Sequence, residues 1–155
     1  MKKILGCSVV IVAVFFLFAK IGFSHCQVPC GIYGDQMRFE MIKEDIATVE
    51  KSINEIARLS AEKDNTNYNQ IVRWVNTKED HANNIMKSAN EYFLAQRIAL
   101  PDNSKQKDKI YCQKVSLLHQ IIVYAMKTKQ SADISNVEKL KALVDEFHKV
   151  YFDKK

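Results

Sequence analysis

Apolar residues recur along most of this chain at alternating spacings of three and four, the pattern of helices that bury one stripe. Between Gln36 and Ala61 the stripe runs through Phe39, Ile42, Ile46, Val49, Ile53 and Ile56. Asp64-Asn65-Thr66-Asn67 interrupts it, with short polar side chains that compete for backbone hydrogen bonds. From Tyr68 to Ile98 a second stripe carries Ile71, Val75, Ala82, Ile85, Ala89 and Tyr92, with Trp74 and Phe93 beside it. Pro101-Asp102-Asn103-Ser104 makes the next break. A third stretch, Lys105 to Lys129, shows Ile110, Leu117, Ile121 and Tyr124, flanked by Leu118, Ile122 and Ala125. The fourth, Ser135 to Phe152, has Val137, Leu140, Val144, Phe147 and Tyr151, and Ser135 with Glu138 three residues on reads as a capping box. No strand alternation or internal repeat appears. Long helices joined by short breaks predict an all-α, antiparallel up-down four-helix bundle over residues 36–155.

Residues 1–24 follow another pattern. Lys2 and Lys3 are followed by an apolar run from Ile4 to Ala19, and Gly22-Phe23-Ser24 places small residues at −3 and −1 of a cut before His25. A basic start, an apolar run and a small-x-small end predict a cleaved secretory signal peptide, hence an exported protein, periplasmic or otherwise extracytoplasmic. The membrane is then met only through this segment before cleavage. The alternative is a retained anchor, because the run lies near the lower limit for a spanning helix. Ile4-Leu5-Gly6-Cys7 stands ahead of the apolar run, not after it, so lipidation of Cys7 is not expected.

Composition sharpens this picture. Four Gly and two Pro in 155 residues argue against sandwiches and barrels, which need many turns. A hydrophobic content of 47% excludes a disordered chain. The formal charge of +5 hints at an anionic partner, but the export segment accounts for most of it: loss of Lys2, Lys3 and Lys20 from 23 basic side chains leaves 20 against 18 acidic ones. No basic patch with interleaved aromatics remains, and a nucleic-acid partner is not expected.

The irregular residues of the mature chain gather in 25–35, His-Cys-Gln-Val-Pro-Cys-Gly-Ile-Tyr-Gly-Asp. A chain that begins at His25 offers an α-amine, an imidazole and the thiols of Cys26 and Cys30. The amine, the amide nitrogen of Cys26 and its thiolate form fused chelate rings, and Cys30 can close the plane once the chain turns at Pro29. Square-planar nitrogen and sulfur donation suits Ni(II) or Cu(II), whereas zinc prefers a tetrahedron. His25 is left as an axial ligand. Two other readings of the same residues stay open: an exported helical interaction module with a Cys26–Cys30 disulfide, and a non-enzymatic nickel or copper carrier. Cys112 reads as a small buried apolar residue, and His119 and His148 as histidines of the bundle.

The run His25-Cys26-Gln27-Val28-Pro29-Cys30-Gly31-Ile32-Tyr33 resembles the H-C-x-x-P-C-G-x-Y hook of the nickel superoxide dismutases. The resemblance continues in Asp35-Gln36-Met37-Arg38-Phe39-Glu40, Lys78-Glu79-Asp80-His81-Ala82 and Glu91-Tyr92-Phe93. It implies a homohexamer of four-helix bundles with one nickel per subunit, converting two superoxide ions and two protons to dioxygen and hydrogen peroxide by Ni(III)/Ni(II) cycling. His25, Cys26 and Cys30 would be the ligands. Tyr33 would stand over the open face of the metal and orient small anions or water, Tyr92 would be a second pocket tyrosine, and Glu40 would hold the axial imidazole. His81 falls where family members carry an arginine that supports the same imidazole from a neighbouring subunit, which is a departure from the family pattern.

Overall fold

Helix α1 (Asp35–Ala61) opens behind Gly34, whose carbonyl accepts from the Arg38 N–H at 3.0 Å. No side chain caps this end, but Asp35 in the first turn places negative charge where the helix dipole favours it. The computed structural model describes residues 32–62, 66–101 and 105–153. The chain divides after Tyr33 into Met1–Tyr33 and Gly34–Lys155, and the described helices all belong to the second part. The expected export segment, residues 1–24, and the run from His25 to Gly31 lie outside the described residues.

Helix α2 (Asn67–Lys87) continues without interruption into a π-helical segment, Ser88–Arg97. Helix α3 covers Lys105–Gln130 and α4 covers Ile134–Phe152. Each helix packs on its neighbours in sequence and α1 closes the ring on α4. Residue numbers fall along α4 as they rise along α1, from the Asp35–Tyr151 pair to the Glu50–Lys141 pair, so neighbours run antiparallel. This is the predicted bundle, and the predicted helix limits agree to within a residue or two.

The core changes character along its length. At the end where α1 begins, Phe39, Phe93 and Phe147 from three elements meet with ring centroids 4.7 to 5.4 Å apart. Further along, aliphatic side chains take over: Ile46, Ile53, Ile85, Leu118, Ile121, Val137 and Leu140 are all buried. Each contributes on the order of 1.5–3 kcal/mol by leaving water. Towards the α1–α2 connection the stripe weakens, and Ile56, Ile71 and Val75 are only half-buried. There α4 no longer covers the hairpin.

Two expectations are corrected, and the gap in the α2 stripe between Val75 and Ala82 is filled by a lysine. Lys78 is 4% exposed, and its ammonium donates to the carbonyls of Thr128, Lys129 and Ser131 at 2.7, 2.8 and 3.2 Å. It thereby satisfies the carbonyls that the end of α3 leaves without helical partners. The cap of α4 is Asp133, whose carboxylate accepts from the Ser135 N–H at 2.9 Å. Ser135 lies inside the first turn, and a Ser135–Glu138 box is not the cap. Cys112 is exposed, not buried. It stands five residues before the buried Leu117, and at 3.6 residues per turn that is roughly 140° around the helix.

Candidate metal centre and its surroundings

The described residues nearest in sequence to the candidate ligands build a compact polar cluster where α1 begins. Asp35 sits at its centre with its side chain 18% exposed. Arg97 grips the carboxylate with two parallel bonds, Nε to Oδ1 at 2.8 Å and Nη2 to Oδ2 at 2.7 Å. The hydroxyl of Tyr92 donates to Oδ1 at 2.7 Å and that of Tyr151 to Oδ2 at 2.8 Å. Each carboxylate oxygen therefore receives one guanidinium N–H and one phenol. The Tyr92 oxygen in turn accepts the Gly34 N–H at 2.9 Å, so the residue directly after Tyr33 is tied to the π-helical segment.

The π-helical segment makes this possible. In an α-helix, residues five apart point roughly 140° away from each other. Closing the backbone through i→i+5 bonds turns them towards one side. Tyr92 and Arg97 are five apart, and both reach Asp35. The same register is visible where the Ile98 N–H donates to the Phe93 carbonyl at 3.0 Å and the Gln96 side chain to the Glu91 carbonyl at 2.8 Å.

Charge and burial set the titration of the cluster. The Arg97 hydrogen bonds, outweighing partial burial, hold the Asp35 carboxyl down at about 2. Asp35 holds the Arg97 guanidinium above its usual range. Burial, then the bond to Asp35, raises the Tyr92 phenol and pushes Tyr151 up to about 12. Two more cations flank the rings, the Arg38 guanidinium 4.9 Å from the centre of Tyr92 and the Lys114 ammonium 5.2 Å from that of Tyr151.

The residues expected to form the site divide into three groups. His25, Cys26 and Cys30 lie outside the described residues. Tyr92 is 4% exposed within the Asp35 cluster, and Tyr33, 45% exposed, precedes Gly34. Glu40 and His81 are not brought to that cluster. Glu40 is exposed one turn further on, accepting from the Gln36 amide at 2.7 Å. The carbonyl oxygen of the Gln36 amide faces the His148 imidazole at 3.1 Å. The His81 Nδ1 lies 2.6 Å from the buried Asp45 carboxylate, ten residues and so roughly 15 Å further along α1 than Asp35.

Asp35, Arg97 and Tyr151 were not foreseen as part of the site. Tyr151 fitted the core stripe of α4, and the spacing of Tyr92 and Arg97 carries no meaning until the π register is known. Among the described residues no three His, Cys, Asp or Glu side chains group so as to hold a metal ion. The candidate donors are those in sequence ahead of the bundle. On a chain that begins at His25, an amine, an amide nitrogen and two thiolates with an imidazole in reserve would fit nickel in either of two oxidation states.

A four-helix frame preceded by residues of this chemistry fits a helical metalloprotein of the redox class. The match of a family model, nickel-containing superoxide dismutase, across residues 20–155 makes the assignment specific: the chain belongs to that family. Its metal is nickel and its activity the dismutation of superoxide. No curated protein and no solved structure matches the chain.

Proposed function

We propose that removal of residues 1–24 creates the nickel site at a new N-terminus. His25 then contributes its amine and imidazole, Cys26 its amide nitrogen and thiolate, and Cys30 the second thiolate. Bound there, nickel supplies a one-electron couple, Ni(III)/Ni(II), able to accept an electron from one superoxide and return one to the next. The two protons that convert the second superoxide to hydrogen peroxide come from water and nearby acidic groups, so no strong base is required. Tyr33 and Tyr92 order water and small species at the open face. Glu40 steadies the His25 imidazole, and His81, fixed by Asp45, approaches it from a neighbouring subunit of a homohexamer. The protein acts outside the cytoplasm.

The run from His25 to Tyr33, standing where the family match places the head of the enzyme, carries this reading. It is tested by the intact mass of the exported protein, native and then denatured. A chain beginning at His25 with one nickel is expected. A chain that keeps residues 1–24, or one cut elsewhere with a Cys26–Cys30 disulfide and no metal, overturns it.

A further inference from the structure

Lys114, on α3, is a half-buried cation without a counter-charge. Other enclosed cations of the bundle are matched: Lys78 by three carbonyls, Arg97 by Asp35, and Lys129 by Asn83 and Glu79. Lys114 meets the face of Tyr151, 5.2 Å from the ring centre, and no carboxylate or carbonyl among the described residues. Burial pushes its ammonium below the usual range, as happens when a cation loses water and gains no partner. Three residues earlier on the same helix, the half-buried Tyr111 has a hydroxyl without a hydrogen-bond partner among the described residues.

Both side chains line one cleft of about 390 Å³ between the end of the π-helical segment and α3. Its other walls are largely apolar, made by Ile98, Leu100, Pro101 and Ile110. Leu100 is 82% exposed, more than any other large apolar side chain among the described residues. Arg97 also borders the cleft, but its charge is matched by Asp35, and no acidic side chain lines it among the described residues. Apolar walls with a few polar groups at one place are the usual make-up of a small-molecule site.

We propose that this cleft binds a monocarboxylate with a short apolar tail, a ligand class unrelated to superoxide: the carboxylate meets Lys114 and the Tyr111 hydroxyl, and the tail lies on Ile98, Leu100 and Ile110. The carboxylate gives the ammonium the acceptor it lacks, and the tail takes Leu100 out of water. A small inorganic anion leaves the apolar walls wet, and an uncharged amphiphile leaves Lys114 unmatched. Both halves of the ligand are therefore needed, and neither depends on the nickel site.

Octanoate is the probe, added to the nickel-loaded protein with labelled Ile and Leu methyl groups and the nickel reduced. The Ile98, Leu100 and Ile110 methyl signals should shift and saturate with a dissociation constant of about 1 mM or tighter. Affinity should rise about threefold per methylene from butanoate to octanoate. It should fall about tenfold in Lys114→Met and about threefold in Tyr111→Phe. Acetate and octanol, which each carry one half of the chemistry, should bind about tenfold more weakly than octanoate. Methyl signals unmoved at about 10 mM octanoate, the result expected if a second copy of the chain covers the cleft, overturn the proposal. So does full affinity in Lys114→Met, or octanol that binds as well as octanoate. Full affinity in Tyr111→Phe overturns the place given to its hydroxyl. If Lys114→Met fails to fold, Lys114→Gln takes its place, and the comparison of octanol with octanoate decides on the unaltered protein.

Discussion

Two of the polar clusters in the described part of this bundle solve the problem of a buried charge in different ways. Lys78 surrenders its three protons to backbone carbonyls at the end of α3. Its partners belong to the main chain, and the contact closes a helix end. Asp35 instead gathers side chains: a guanidinium from the π segment and phenols from the π segment and α4. Carbonyls of a helix end must be satisfied in any bundle, so Lys78 is explained by folding alone. Folding would be served equally well by phenylalanine at Tyr92 and Tyr151 with an apolar pair for Asp35 and Arg97. The hydroxyls instead tie Asp35 to the π segment and α4, and that of Tyr92 also holds the Gly34 N–H at the start of α1.

Removing the charge from each cluster should separate the two roles. Asp35→Ala leaves the Arg97 guanidinium and two phenols without their acceptor in a largely enclosed setting. A loss of about 3 kcal/mol is expected in denaturant unfolding, together with a fall in turnover per bound nickel. Lys78→Met keeps the stem and strips the donor from three carbonyls. About 2 kcal/mol should be lost, with turnover per nickel unchanged. Equal losses of turnover in both variants would abolish the distinction drawn between them.

Acid provides a finer cut. The Asp35 carboxyl is lowered from its ordinary 3.8 to about 2 in the folded protein. In the pH window between those values the unfolded chain binds the proton and the folded one does not, so stability falls as pH drops through it. The contribution is complete above pH 4 and gone below 2, amounting to about 2 kcal/mol. Comparison of the metal-free protein with metal-free Asp35→Asn between pH 5 and 2 isolates it, because nickel release in acid is then absent from both. Parallel stability curves would show that the carboxylate gains nothing from its four donors.

The contrast also explains how much was legible in advance. The helices were readable because their stripes are regular: Phe39, Ile42, Ile46, Val49 and Ile53 could lie on one face only of an α-helix, and they do. The run His25-Cys26-x-x-x-Cys30 could be proposed as a ligand set from sequence because its chemistry depends on adjacency in the chain and not on folding. The Asp35 cluster was not, since it joins residues 57, 62 and 116 positions apart through a helix whose change of register leaves no pattern in the residue types. Lys78 left a signal that was passed over, a cation at stripe spacing between Val75 and Ala82. Cys112 was misplaced because a small residue beside an apolar stripe fits either side of it.

The smallest expected effect concerns Arg38. Residues 25–155 are nearly balanced in charge, with 20 basic against 18 acidic side chains, so any guidance of an anionic substrate must be local. Arg97 is paired with Asp35, whereas Arg38 makes no ion pair among the described residues. Its guanidinium lies over the Tyr92 ring, with the Met41 sulfur as its one hydrogen-bond partner among the described residues, at 3.9 Å. Arg38→Gln keeps the length and polarity of the side chain and removes the charge. If the cation draws superoxide in, kcat/KM should fall about two- to threefold at low ionic strength, and the difference should fade by roughly 0.5 M salt, where screening shortens the field to a few ångströms. Stability should change by less than about 0.5 kcal/mol. A deficit that persists at high salt would mean that Arg38 acts through its packing on Tyr92, and the orientation of that ring, not its potential, would then be what Arg38 supplies.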